Sequence, residues 1–251
     1  MRIVLLTALG VGGATVFGSV LGFLFKKISH LFSDIVLSFA AGIMLCAAIT
    51  GLILPALEHP GPAPLLITIL GVFSGALFLN VIDKLVPHLH RLAGIEQESH
   101  PDGSEKLNKI LLFVMAIAIH NLPEGIAAGV GFGSGDNRQA FTIAAGIALQ
   151  NIPEGMVIIG PMLAAGMKPS RTFFCAMATG LVEVLGTLLG YFAVSLSAAI
   201  LPFALAFAGG TMLYVISDEM IPETHHNETR GVTYALLIGF CLMLVMNYFL
   251  G

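Results

Sequence analysis

Charge is scarce in this chain. Asp, Glu, Lys and Arg make up 10% of its 251 residues, while 57% are hydrophobic; an ordinary soluble domain is roughly a quarter charged. A soluble fold is excluded. Cysteine is equally sparse: Cys46, Cys175 and Cys241 stand singly inside apolar runs, with no CxxC pair. No disulfide framework follows from that spacing, and the three read as small buried hydrophobes. Long polar stretches are missing too, so the connections leave no room for a separate soluble domain.

What fills the chain instead is a series of apolar blocks: Ile3 to Phe25, Asp34 to Leu57, Pro64 to Ile82, Ile110 to Phe132, Gln139 to Gly166, Thr172 to Ser197, Ala198 to Ile216 and Val232 to Leu250. Each can cross a hydrocarbon core, which takes about 20 helical residues. In lipid every backbone N–H and C=O must be paired within the protein, so runs this long are helices; a membrane strand would alternate over about 10 residues. The expected fold is therefore an all-α integral membrane bundle of eight helices forming one transmembrane domain over residues 1–251. Arg2 supplies only a minimal n-region and the first run is too long for an h-region, so this block is expected to remain in the mature protein.

The few basic residues orient the bundle. With the N-terminus outside, Lys26, Lys27, Lys84, Arg91, Lys106, Lys109, Lys168, Arg171 and Arg230 fall on the cytoplasmic side, and only Arg2 and Arg138 fall outside. That asymmetry obeys the positive-inside rule with both termini outside. The connection from His88 to Asn108 is the longest; its charge and Gly/Pro content predict a cytoplasmic loop, in which His88, His90 and His100 could bind metal. Small residues at four-residue spacing, Gly18 and Gly22, Gly71 and Gly75, and Gly186 and Gly190, predict close backbone approach between helices.

Against this apolar background one hexapeptide occurs twice. The fourth block holds His120-Asn121-Leu122-Pro123-Glu124-Gly125, and thirty residues later the fifth holds Gln150-Asn151-Ile152-Pro153-Glu154-Gly155. One short outer loop joins the two helices, so they run antiparallel with their motifs at similar depth, and a pseudo-two-fold axis in the membrane plane follows. His120 and Gln150 each precede a glutamate by four residues and Asn121 and Asn151 by three, so all face one side of their helix. Pro123 and Pro153 cannot donate to the carbonyls of Ile119 and Leu149, which predicts a kink and freed carbonyl oxygens.

A charge at bilayer depth costs about 2.5–3.5 kcal/mol on insertion scales, and no Lys or Arg within these spans neutralises Glu124 or Glu154. A divalent cation bridging both carboxylates resolves the problem, and an imidazole among the ligands favours zinc-like ions over magnesium or calcium. Protons could neutralise the empty site. Glu183, alone in the apolar run TGLVEVLG, is the natural residue to complete a second metal position.

The twin motifs, Glu183 and the stretch MLYVISDEMIPETHH resemble the ZIP family of divalent metal-ion transporters, specifically its bacterial GufA-like branch, along essentially all eight blocks. The resemblance implies a multi-pass protein of the bacterial inner membrane that carries zinc, and often iron, cadmium or manganese, into the cytoplasm, with the ion as substrate and no organic cofactor. It implies a primary site on Met44, His120, Glu124, Gln150 and Glu154, although Met44 by itself reads as core packing. It also implies a secondary site on Asn121, Glu124, Asn151, Glu154 and Glu183. Some relatives have Asp where Asn151 stands, which should weaken a second ion here. Some have His in place of Asp218; that residue, with Glu219, Glu223, His225 and His226, would line an inner exit path. Glu58 and His59 could gather ions at the outer entrance.

The expected partners are metal ions and membrane lipid, with a homodimer left open and nucleic acid excluded. Alternating access is the leading mechanism. A metal-selective channel would need weaker binding than such dense ligands provide. An intramembrane metalloenzyme lacks its HExxH signature, and the chain is not expected to be an enzyme.

Overall fold

The computed structural model describes residues 1–25, 29–92, 104–133, 135, 137–164, 166–225 and 230–250; the side chains of 86–92, 104–114, 116 and 133 lie outside this description. Among the described residues there are eight long helical segments and no strands: α1 (Arg2–Leu24), α2 (His30–Glu58), α3 (Pro64–Leu92), α4 (Ser104–Gly133), α5 (Asn137–Ala164), α6 (Pro169–Leu196), α7 (Ala198–Thr224) and α8 (Arg230–Leu250). All but α4 qualify, within the described residues, as long and apolar enough to cross a membrane.

Several helices outrun the apolar blocks. α3 continues to Leu92 and α4 begins at Ser104, so the expected loop from His88 to Asn108 is helical at both ends. Similarly α7 continues through the polar run after Ile216 to Thr224. Hydropathy marks where a helix is apolar, whereas backbone hydrogen bonding carries it on past that point.

The surface is the reverse of a soluble protein. Phe73 is 72% exposed and Leu196 88%, whereas Asn151 and Glu183 are wholly buried. Such an apolar exterior suits hydrocarbon.

The helices divide into two groups by their closest partners. α4 pairs with α6, α1 with α5, and α1 also with α6; separately, α3 pairs with α7 and α2 with α8. Weaker contacts of α2 with α5 and of α4 with α7 join the groups. Exchanging α1 with α6, α2 with α7, α3 with α8 and α4 with α5 maps this set of pairings onto itself.

Close approach at glycine makes each pairing. A Cβ on Gly18 of α1 would lie 2.1 Å from the Ile152 carbonyl oxygen of α5, and one on Gly75 of α3 2.2 Å from that of Phe207 in α7. Likewise Gly190 of α6 faces Ile126 O of α4, and Gly239 of α8 faces Phe39 O of α2. Gly12 and Gly180 are reciprocal, each against the other's carbonyl where α1 crosses α6. The expected glycine pairs, Gly18 with Gly22, Gly71 with Gly75 and Gly186 with Gly190, all lie in these seams.

α4 and α5 remain helical across Pro123 and Pro153. The breaks in α-helical register come elsewhere, in α2 over Ala47–Ile53 and in α7 over Ile216–Met220, where the turns widen to π-helix. Each ends on a five-residue hydrogen bond, Leu54 N–H to Ile49 O and Ile221 N–H to Ile216 O. Pro55 and Pro222 follow immediately and cannot donate to the carbonyls of Gly51 and Asp218. Within both segments a hydroxyl bonds back one turn, Thr50 to Cys46 O and Ser217 to Leu213 O, each at 2.7 Å. α5 ends in a Schellman motif, Met167 N–H to Met162 O and Gly166 N–H to Leu163 O, with Gly166 at φ +88°.

Substituting Gly18→Ala should destabilise the detergent-solubilised protein by about 1–3 kcal/mol through overpacking against Ile152. Gly10→Ala, on the same helix with nothing within 4 Å of the added carbon, should leave thermal unfolding unchanged. Equal melting of the two variants would show that backbone contact at Gly18 is not what joins α1 to α5.

Candidate metal centre

The sixth residue of each motif fixes where the motif sits. Gly125 on α4 lies against the backbone of α6 at Glu183, where a Cβ would be 2.3 Å from the Glu183 carbonyl oxygen. Gly155 on α5 lies against α1 at Thr15, with the corresponding distance 2.2 Å. Since α4 and α5 also touch each other, the two hexapeptides meet in the middle of the group formed by α1, α4, α5 and α6.

His120, Asn121, Glu124, Gln150 and Asn151 are all buried, and Glu154 is half-buried. Around Glu124 stand the Gln150 amide and the carboxylates of Glu154 and Glu183, all close enough to act on its charge; His120 acts in the same way on Glu154. Yet both carboxylate oxygens of Glu124, Oε1 of Glu154 and both amide atoms of Gln150 are buried without a hydrogen-bond partner. Buried polar atoms are ordinarily paired, and leaving one unpaired costs about 1–3 kcal/mol, more when charged. Met44 is fully buried on α2 within the main apolar cluster, on the helix that joins α5 across the two groups.

Glu183 has a different environment. Its Oε1 accepts from the Thr15 hydroxyl at 2.6 Å and from Asn121 Nδ2 at 2.5 Å; its Oε2 accepts from Asn151 Nδ2 at 2.6 Å. Asn151 Nδ2 also reaches Val11 O at 3.2 Å. Both asparagine Oδ1 atoms are buried without a partner.

Between α4 and α7, His120 Nε2 lies 2.8 Å from Glu219 Oε1 without the alignment of a hydrogen bond. Asp83 of α3 completes a cluster with them, one ligand atom from each residue lying within 4.8 Å of the others. The sequence reading missed Asp83; a single acid near the end of an apolar run looks like an interfacial residue, and only its register opposite Glu219 gives it away. Asn80 donates to the Tyr214 hydroxyl at 3.0 Å on the same two helices.

The remaining expected path residues are dispersed. Asp218 and Glu223 are exposed, and His225 Nδ1 lies 2.9 Å from Ile221 O and 3.2 Å from Thr224 Oγ1. At the other end Glu58 is exposed and His59 Nδ1 lies 3.0 Å from Pro60 O. The side chains of His88 and His90, together with His100 and His226, lie outside the described residues.

The profile of the family described as ZIP Zinc transporter matches residues 87–247. Zinc transporter GufA of Myxococcus xanthus is 44% identical over 207 residues, covering 80% of each chain. Zinc transporter ZIPB of Bordetella bronchiseptica is 38% identical over 246 residues, 95% of this chain and 78% of the relative. Zinc transporter ZupT of Salmonella paratyphi A is 32% identical over 266 aligned positions, spanning 100% of both. Likeness of this degree over this much of the sequence means that the chain belongs to the ZIP zinc transporter family, in its GufA-like branch.

Proposed function

We propose that this chain carries zinc, and related divalent transition-metal ions, across a bacterial inner membrane into the cytoplasm, with eight helices crossing the bilayer and both termini outside. The observation that carries this reading is the set of buried, unpartnered ligand atoms on Glu124, Gln150 and Glu154. In an apolar bundle these carboxylates need a cation or protons, and oxygen ligands beside an imidazole suit zinc. Met44, His120, Glu124, Gln150 and Glu154 would hold the ion, flanked by Asn121, Asn151 and Glu183.

The division into two helix groups supports alternating access, one group moving against the other around the site. The motif residues belong to α4 and α5, while Asp83 and Glu219 belong to α3 and α7. His120 touches both sets, being near Glu154 and in contact range of Glu219. An ion leaving the motif glutamates therefore meets Asp83 and Glu219 next, with Asp218 and Glu223 beyond them toward the cytoplasm. Relatives named zinc transporters agree with this substrate.

In proteoliposomes, Glu124→Ala and His120→Ala should each lower zinc uptake by a factor on the order of ten or more, as loss of a ligand or its support does at metal sites. Wild-type rates in both variants would overturn the site. Uptake by the unmodified protein should saturate at micromolar zinc; flux that stays linear far above that range identifies a channel instead. Asp83→Asn combined with Glu219→Gln should slow turnover while zinc binding to the detergent-solubilised protein persists. Loss of binding in that double variant would move the primary site to the inner cluster.

A further inference from the structure

We infer that Glu183 is a positioning residue rather than a metal ligand: it holds the two motif asparagines by their amide nitrogens, so that the chain binds a single ion between its motif glutamates. This rests on the site proposed above.

The hydrogen bonds carry the argument. A carboxylate can only accept, and Glu183 receives a donor from each of three other helices: Thr15 of α1 and Asn121 of α4 on Oε1, and Asn151 of α5 on Oε2. Distances of 2.5–2.6 Å lie at the short end of hydrogen bonding. Three of the carboxylate's four lone-pair sites are thus taken, and a metal ion at Glu183 could use only the one left on Oε2 without displacing a buried donor. The backbone holds the arrangement as well, because Gly125 seats α4 directly on the Glu183 carbonyl.

The same bonds decide which way each amide faces. Turning either side chain over would set its Oδ1 against the carboxylate, oxygen to oxygen. Glu183 therefore takes a hydrogen from each Nδ2, that of Asn151 reaching Val11 O as well, and leaves Asn121 Oδ1 and Asn151 Oδ1 as the free ends, buried and unpartnered. Without it an amide is free to present its NH₂, which repels a cation.

Thr15 fits the same scheme. It stands three residues after Gly12 as Glu183 stands three after Gly180, and those two glycines are reciprocal contacts. One member of this equivalent pair is thus a hydroxyl donor and the other its acceptor, which leaves one carboxylate at the centre instead of two.

The test is zinc binding to purified, detergent-solubilised protein, read as stoichiometry and Kd, with the melting temperature followed in parallel. Wild type should bind one ion in the membrane domain that depends on Glu124. Glu183→Gln should keep that stoichiometry and weaken Kd by about 10–100-fold, the usual effect of removing a group that orients ligands. Thr15→Val, which deletes one donor and preserves shape, should weaken Kd by a smaller factor at unchanged melting temperature. Asn151→Asp, which turns a donor into an acceptor, should admit a second ion.

Two Glu124-dependent ions in wild type, falling to one in Glu183→Gln, would overturn the proposal. So would tighter binding in Thr15→Val, because freeing Oε1 helps a ligand and harms a positioner. Thr15→Val decides the matter if Glu183→Gln fails to fold. Undiminished binding in Glu124→Ala would instead refute the site itself and is distinguishable from either result.

Discussion

Backbone-to-backbone contact at glycine is the constraint on which the rest of this structure depends. Apolar helices gain little from leaving one apolar medium for another, so they associate by fitting closely and by satisfying polar atoms. Here every major helix pair closes over a glycine whose absent Cβ lets the neighbouring carbonyl approach. The motif glycines are part of that system: Gly125 and Gly155 bring α6 and α1 against the two hexapeptides, and with them Glu183 and Thr15. Packing and chemistry therefore share the same few residues.

The buried polar atoms form two sets with opposite accounts. Around Glu183 donors and acceptor are matched, three groups pointing hydrogens at its two oxygens. Around Glu124 they are not matched, and both oxygens lack partners. A complete network rigidifies, whereas an incomplete one waits for something to complete it. The contrast is sharpened by proximity, since Glu124 lies close enough to feel the Glu183 charge.

Much of this was readable in the amino-acid order. Apolar block length located each helix if not its ends, the doubled hexapeptide marked residues that the fold brings together, and the glycine spacings located three of the seams. What stayed hidden depends on which residue faces which across a gap. Asp83 gains meaning only opposite His120 and Glu219, and Thr15, in an apolar helix, looks like a filler until Glu183 is seen beside it. The helix extensions to Leu92 and Thr224 escaped hydropathy because polar residues continue a helix as readily as apolar ones once outside the hydrocarbon. The π-helical turns of α2 and α7, ahead of Pro55 and Pro222, left no signal in hydropathy.

Those widened turns have a consequence for how α2 and α7 relate to their surroundings. An α-helix advances about 100° per residue, so a turn that accommodates one more residue re-indexes every side chain beyond it. The part of α2 before Ala47 packs on α8, while the part after Ile53 packs on α3 and α7. One continuous rod thus presents two independently aimed faces, and the swivel lies level with neither end but inside the helix. In α7 the acids Asp218 and Glu219 sit within the swivel itself, so the azimuth at which Glu219 meets His120 is set by the extra residue in the turn.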